Sequence, residues 1–254
     1  VRHGDEIFVV STGTGEVRVY DGAQPGRFPL LRSMAAADPT HPGASHINTV
    51  GVSPSTVWVM RHNQGKRPAE VHVLDRYAER SLDVYADVGR SSHGLAHWHD
   101  ELIVLDSLNG RVLAVHRLTK ATRVVWSCSR TCFLKGLAVL GSTALVGVAP
   151  PQRRMDRMHV NCSLVAISLA DNGKVQWRLD PVEANGLRSA AADSASNRLI
   201  TAGLLNQIVP LSYASDPAAK QPLQHVALIP LALKLDTVRN IDAAGVKQPI
   251  GYRM

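Results

Sequence analysis

Five residues that can carry charge or move protons recur at one place in a repeated segment: His46, His93, Lys135, Arg188 and Arg239. Each is the third residue of its segment. The four clearest copies are Ala44-Ser45-His46-Ile47-Asn48-Thr49-Val50, Ser91-Ser92-His93-Gly94-Leu95-Ala96-His97, Phe133-Leu134-Lys135-Gly136-Leu137-Ala138-Val139 and Gly186-Leu187-Arg188-Ser189-Ala190-Ala191-Ala192. The fifth is Thr237-Val238-Arg239-Asn240-Ile241-Asp242-Ala243. Successive copies stand roughly 40–50 residues apart. Imidazoles titrate near neutrality, so His46 and His93 are the candidates for acid–base catalysis. Ammonium and guanidinium groups hold carboxylates, phosphates and sulfates. Lys135, Arg188 and Arg239 are therefore the candidate ligand-binding groups, with Asn48 offering a neutral hydrogen bond. If the copies converge on one point, that point is a site for a small anionic molecule.

Convergence has a cost. Like charges 4–6 Å apart repel by on the order of several kcal/mol per pair at an effective dielectric near 20. Asp106, Asp193 and Asp242 are candidate internal counter-ions, and a bound anion is the other source of compensation. Two alternatives stand beside the anion site. One is a metal-dependent hydrolase or lyase with His46 and His93 as metal ligands, joined by His62, His97, His99 or His159. Catalytic zinc usually takes three protein ligands, and Lys135, Arg188 and Arg239 disfavour a cation at the same spot. The other is a non-catalytic protein-interaction platform, since fold alone does not select function. Beyond the divalent metal of the first alternative, no cofactor is expected. Ser45, Ser91 and Ser92 adjoin the histidines, yet no Gly-x-Ser-x-Gly elbow is present. Gly13-Thr14-Gly15, Asn109-Gly110 and Asn172-Gly173 read as hairpin turns, not as phosphate loops.

The elements that must position these residues are strands. Helical periodicity with caps is nearly absent. Short apolar or alternating runs recur about every ten residues between Gly, Asp, Asn and Pro, as at residues 7–11, 57–60, 71–74, 102–105, 112–115, 144–148 and 164–167. Meander sheets repeated at this longer period make an all-β propeller, read as one domain over residues 1–254 with five four-stranded blades, or six if residues precede Val1. The first blade opens on Gly4-Asp5-Glu6-Ile7, which resembles His99-Asp100-Glu101-Leu102, a second strand with no first strand before it. The segment near Arg239 lacks its partner strand. A C-terminal strand pairing into the N-terminal blade would repair both defects and remove the open edges. In such a ring the starts of the innermost strands face one mouth of the axial channel.

Composition sets the outer bounds. Hydrophobic residues make up 45% of the 254 residues, enough for a large core. No run approaches the roughly 20 apolar residues of a membrane span; the longest, residues 226–233, is broken by Pro230. Net charge is +7, which favours anionic partners. The basic residues are scattered and aromatics are few, so nucleic acid is not indicated. Cys128 and Cys132 flank a three-residue turn, with Cys162 far away; small packed thiols are expected over a disulfide or half a zinc site. The absence of a leader before Val1 fits a processed chain or a piece of a longer one. Residues 150–161, rich in Arg and Met, are expected to form a loop facing a protein partner or covering the site.

These residues also resemble a propeller-type family of unknown function. That family carries His-x-Asn-Gly-Leu, Trp-His-Asp-Gly-x-Leu-Trp-x-x-Asp-Ser, Arg-Gly-Leu-Ala-Phe and Val-Gly-Leu-Ser segments. The counterparts here are His46-Ile47-Asn48-Thr49-Val50, Trp98-His99-Asp100-Glu101-Leu102-Ile103-Val104-Leu105-Asp106-Ser107, Lys135-Gly136-Leu137-Ala138-Val139 and Val146-Gly147-Val148-Ala149. The likeness covers roughly residues 44–180, with a weaker echo at Lys247-Gln248-Pro249-Ile250. Where that family has Arg, this chain has Lys135. The resemblance implies a propeller fold and brings no activity with it.

Overall fold

The structure, a computed structural model, describes residues 1–23, 26–38, 42–129, 131–151, 162–179, 205–210 and 226–230. Its strands are β1 (Arg2–His3), β2 (Glu6–Ser11), β3 (Glu16–Asp21) and β4 (Leu30–Ala35), then β5 (Ile47–Val52), β6 (Thr56–Arg61), β7 (Glu70–Asp75) and β8 (Ser81–Tyr85). There follow β9 (His93–Trp98), β10 (Glu101–Asp106), β11 (Arg111–His116) and β12 (Thr122–Ser127), and then β13 (Phe133–Leu140), β14 (Thr143–Ala149), β15 (Ser163–Ser168) and β16 (Val175–Leu179). Each group of four is an antiparallel meander. The four sheets are propeller blades, and the chain is an all-β propeller. Helix among the described residues is confined to α1 (Pro42–Ser45) and one 3-10 turn, Asn63–Gly65.

Five or six blades were expected. The described residues give four complete ones and a two-stranded sheet of β17 (Leu205–Pro210) and β18 (Val226–Pro230), with β17 beside β13. The first blade also differs from expectation. It does possess a first strand, reduced to β1, with Arg2 opposite Ile7 and His3 opposite Glu6. The proposed closing strand near Arg239 lies outside the described residues.

Blade packing explains why the sequence shows continuous apolar runs. A second strand such as β6 or β10 is covered on both faces by neighbouring blades. Val57 and Val59 pack with Phe8, Val17 and Val19 of the first blade, whereas Trp58 and Met60 pack with Leu102 and Val104 of the third. Ile103 and Leu105 turn the other way, onto Leu134, Ala144 and Val146 of the fourth. Strands buried on both faces need no polar alternation. Each fully buried side chain contributes on the order of 1.5–3 kcal/mol. The Asn109-Gly110 and Asn172-Gly173 turns lie where expected, with Gly110, Asn172 and Gly173 in the left-handed region.

Thiol packing was the wrong expectation for one pair. Cys128 and Cys132 form a disulfide across Cα atoms 6.5 Å apart, while Cys162 is buried outside it. The two cysteines sit at the end of β12 and just before β13. The Cys128 amide donates to the Gly110 carbonyl (2.9 Å), which brings the bridge onto the β10–β11 turn.

Candidate site at one mouth of the propeller

The first strands of blades two, three and four are neighbours: β5 lies beside β9, and β9 beside β13. Their starts bring His46, His93, Phe133 and Lys135 together at one mouth. His46 follows α1 in a left-handed conformation (φ 45°), just outside β5. His62 follows β6 in the same blade, and its amide donates to the His46 carbonyl (3.3 Å). The two imidazoles are 5.0 Å apart, centre to centre. His62 then meets His93 of the third blade at 4.9 Å, and His93 meets Phe133 of the fourth at 5.6 Å. Lys135 acts electrostatically on His93.

The ladders revise the alignment between blades. Val50 lies opposite Val59, Leu95 opposite Val104, and Leu137 opposite Val146, each the fourth residue of its second strand. Counting back from these pairs, Asn48 is the counterpart of His93 and Lys135. His46 is two residues earlier, the counterpart of Ser91 and Phe133. The third-position rule therefore fails in the second blade, though both residues still belong to this mouth. Each of the three ladders carries a register shift at this point. Gly94 and Gly136 take left-handed φ there (67° and 84°), and such bulges re-aim the side chains beside them. A Cβ on Gly94 would stand 2.7 Å from Cβ of Leu137, so no larger residue fits where blades three and four meet.

Polar contacts lock this arrangement. Asn48 Nδ2 donates to the Ser92 carbonyl (2.9 Å), tying blade two to blade three. Its Oδ1 is buried without a hydrogen-bond partner. Ser107, fully buried, holds Nδ1 of His93 at 3.0 Å through its hydroxyl. Ser92 Oγ donates to the Val88 carbonyl, and Ser45 Oγ accepts from the Asp38 amide. Burial holds His93 well below the usual imidazole range. The Lys135 charge, then His62 and His46, push the same way, while a hydrogen bond to the Ser91 backbone opposes them. His93 is thus uncharged at neutral pH, and the Lys135 charge acts against its protonation.

Asp106 is not a counter-ion for this mouth. It is fully buried, but Arg111 takes it through Nε (2.8 Å) and Nη2 (2.5 Å), and Asn109 Nδ2 and the Arg90 amide complete its shell. A carboxylate so engaged serves its own hairpin. Of the extra metal ligands that were expected, His62 stands beside His46 and His93, whereas His97 and His99 lie elsewhere. His97 is at the far end of β9, edge-on to Trp58 at 4.9 Å, and His99 lies beyond it in the turn against Trp98. At about 3.3 Å per residue, His97 is roughly 13 Å along the strand from His93. No group of three or more His, Cys, Asp or Glu side chains with metal-ligand geometry occurs among the described residues. Arg188, Arg239, Asp193, Asp242, His159 and residues 152–161 lie outside them.

Sequence reasoning overlooked two members of the site. Phe133 was quoted only as the start of a repeat copy, although its position matches that of His46. Ser107 directly follows Asp106, at the place His62 holds in the second blade. A comparison of second-strand ends would have found Ser107, and an alignment of first strands by ladder register would have found Phe133.

No family model and no curated protein matches the chain. Its fold recurs among solved structures. A chain of the nidogen/laminin complex is 13% identical with a TM-score of 0.51, over 80% of this chain and 64% of that one. A member of the DUF4221 family from Bacteroides vulgatus is 6% identical (TM-score 0.46; 69% and 64%). A candidate 6-phosphogluconolactonase from Bacteroides fragilis is 10% identical (TM-score 0.44; 69% and 54%). The chain spans less than two thirds of the length of each. The likeness is one of fold. No helix among the described residues is long and apolar enough to cross a membrane.

Proposed function

We propose that the mouth formed by His46, His62, His93 and Lys135 binds a small anionic molecule. One observation supports this reading: the imidazoles of His46, His62 and His93 form a row across two blades at 5.0 and 4.9 Å, and the Lys135 charge of the next blade acts on His93. An anion among them is attracted by the Lys135 charge and is held by charge-assisted hydrogen bonds. Lys135 supplies the permanent charge. Asn48, and Arg188 and Arg239 from the later repeats, extend the binding set. His46 and His93 are the groups for proton transfer on a bound substrate. His93 acts there as a neutral imidazole, because burial and Lys135 keep the proton off it at pH 7.

The test is a calorimetric titration with inorganic phosphate at low ionic strength, on the native protein and on Lys135→Gln. A hydrogen bond to a charged group contributes about 1.5–3 kcal/mol, so the variant should bind about 10- to 100-fold more weakly. Equal affinity in both proteins, or no binding of phosphate, sulfate or acetate to the native protein, overturns the reading.

A further inference from the structure

The charges at this mouth are accompanied by rings, and the rings say what kind of anion fits. His46, His62, His93 and Phe133 form an unbroken row across three blades, with centroid separations of 5.0, 4.9 and 5.6 Å and interplanar angles of 55°, 70° and 68°. None of the four is fully buried. Phe133 is one of only three phenylalanines in the chain, and it stands two residues from Lys135, at the ladder position His46 fills in the second blade. Ser107 fixes the His93 ring from behind, and the Asn48–Ser92 hydrogen bond fixes the spacing between blades. The row is preorganised.

A bare inorganic ion beside Lys135 would leave this ring surface hydrated. A ligand carrying its own planar ring covers it. Aromatic rings pair favourably in offset or edge-to-face geometry at centroid distances of 4.5–7 Å, the range already realised within the row. Resting on the anion-site reading, we propose that the ligand is an aromatic carboxylate: the carboxylate meets Lys135 and the ring lies against His93 and Phe133.

The experiment titrates acetate, cyclohexanecarboxylate and benzoate into the native protein, Phe133→Leu and Phe133→Tyr, at fixed pH and ionic strength, with binding followed by calorimetry. Aromatic pairing beyond area burial corresponds to roughly a 2- to 10-fold gain in affinity per contact. Benzoate should therefore bind the native protein at least about twofold more tightly than cyclohexanecarboxylate. Phe133→Tyr, which keeps the ring, should retain that preference, and Phe133→Leu should lose it while still binding acetate. If the two cyclic acids bind equally, or if Phe133→Leu keeps the preference for benzoate, the aromatic assignment is wrong and the anion site stands. If none of the three acids binds, the anion site falls with it. Thermal melting of both variants confirms the fold. Should Phe133→Leu not fold, loss of the preference in a folded Phe133→Tyr is the overturning result.

Discussion

Replacing Gly94 with alanine tests whether blades three and four meet as closely as the site requires. Two costs arise. The backbone there is left-handed (φ 67°), which costs an L-residue with a Cβ roughly 1–2 kcal/mol. The new methyl group would also stand 2.7 Å from Cβ of Leu137 and 3.3 Å from Cγ of Leu105, and overpacking of this kind costs about 1–3 kcal/mol. Together Gly94→Ala should destabilise by about 2–5 kcal/mol. Two controls separate the terms. Gly141 is left-handed (φ 57°) with nothing within 4 Å, so Gly141→Ala should show the backbone cost alone, about 1–2 kcal/mol. Gly13 has open space and no left-handed φ, so Gly13→Ala should fall within about 0.5 kcal/mol of the native protein. Urea unfolding of the four proteins, compared by midpoint at constant slope, measures the series. If Gly94→Ala costs no more than Gly141→Ala, the close contact of β9 with β13 is refuted, and with it the meeting of His93 and Lys135.

Three further outcomes follow from named contacts. His93 is depressed in the folded protein, so the unfolded chain takes up a proton near pH 6.5 that the native state refuses. Its contribution is intact above about pH 6.5 and is lost as pH falls from there toward the folded value, by at most about 1.4 kcal/mol per pH unit. His93→Gln should flatten the fall in urea midpoint between pH 7.5 and 5.5, an unchanged profile being the contrary result. Glu6 accepts from Arg32 and from the buried Arg76, joining blades one and two, so Glu6→Gln should cost about 2–4 kcal/mol in urea unfolding; a cost under 0.5 would make the bridge incidental. Removing the short disulfide loop by replacing Cys128 and Cys132 with serine should cost about 2 kcal/mol under oxidising conditions and nothing relative to the native protein in reductant.

The propeller was legible because its physics repeats. Second strands covered on both faces appear as runs such as Leu102-Ile103-Val104-Leu105, and the left-handed bulges mark Gly94 and Gly136. Outer strands speak faintly. β8 is largely exposed until Tyr85, so its residues carry little apolar signal. The alignment slipped in blade two because its bulge carries Asn48 and Thr49 in place of a glycine, while the nearby His46 matched His93 by type. Residue type misled where ladder register decides. The disulfide was hidden for a different reason: Cys128 and Cys132 come together across a turn at the blade junction, and spacing alone does not distinguish such a turn from packed thiols. Asp106 showed the reverse error. It was expected as a counter-ion for the mouth, yet Arg111 on the paired strand claims its charge.

Basic groups of three blades are proposed to create one anion site. A crystal of the native protein grown with selenate, located by the anomalous signal of selenium, tests it directly. A selenium peak is expected at the starts of β5, β9 and β13, with selenate oxygens in hydrogen-bond reach of Lys135 and at least one of His46, His62 and His93. Selenate bound only at other surface positions, with this mouth holding water alone, would contradict it.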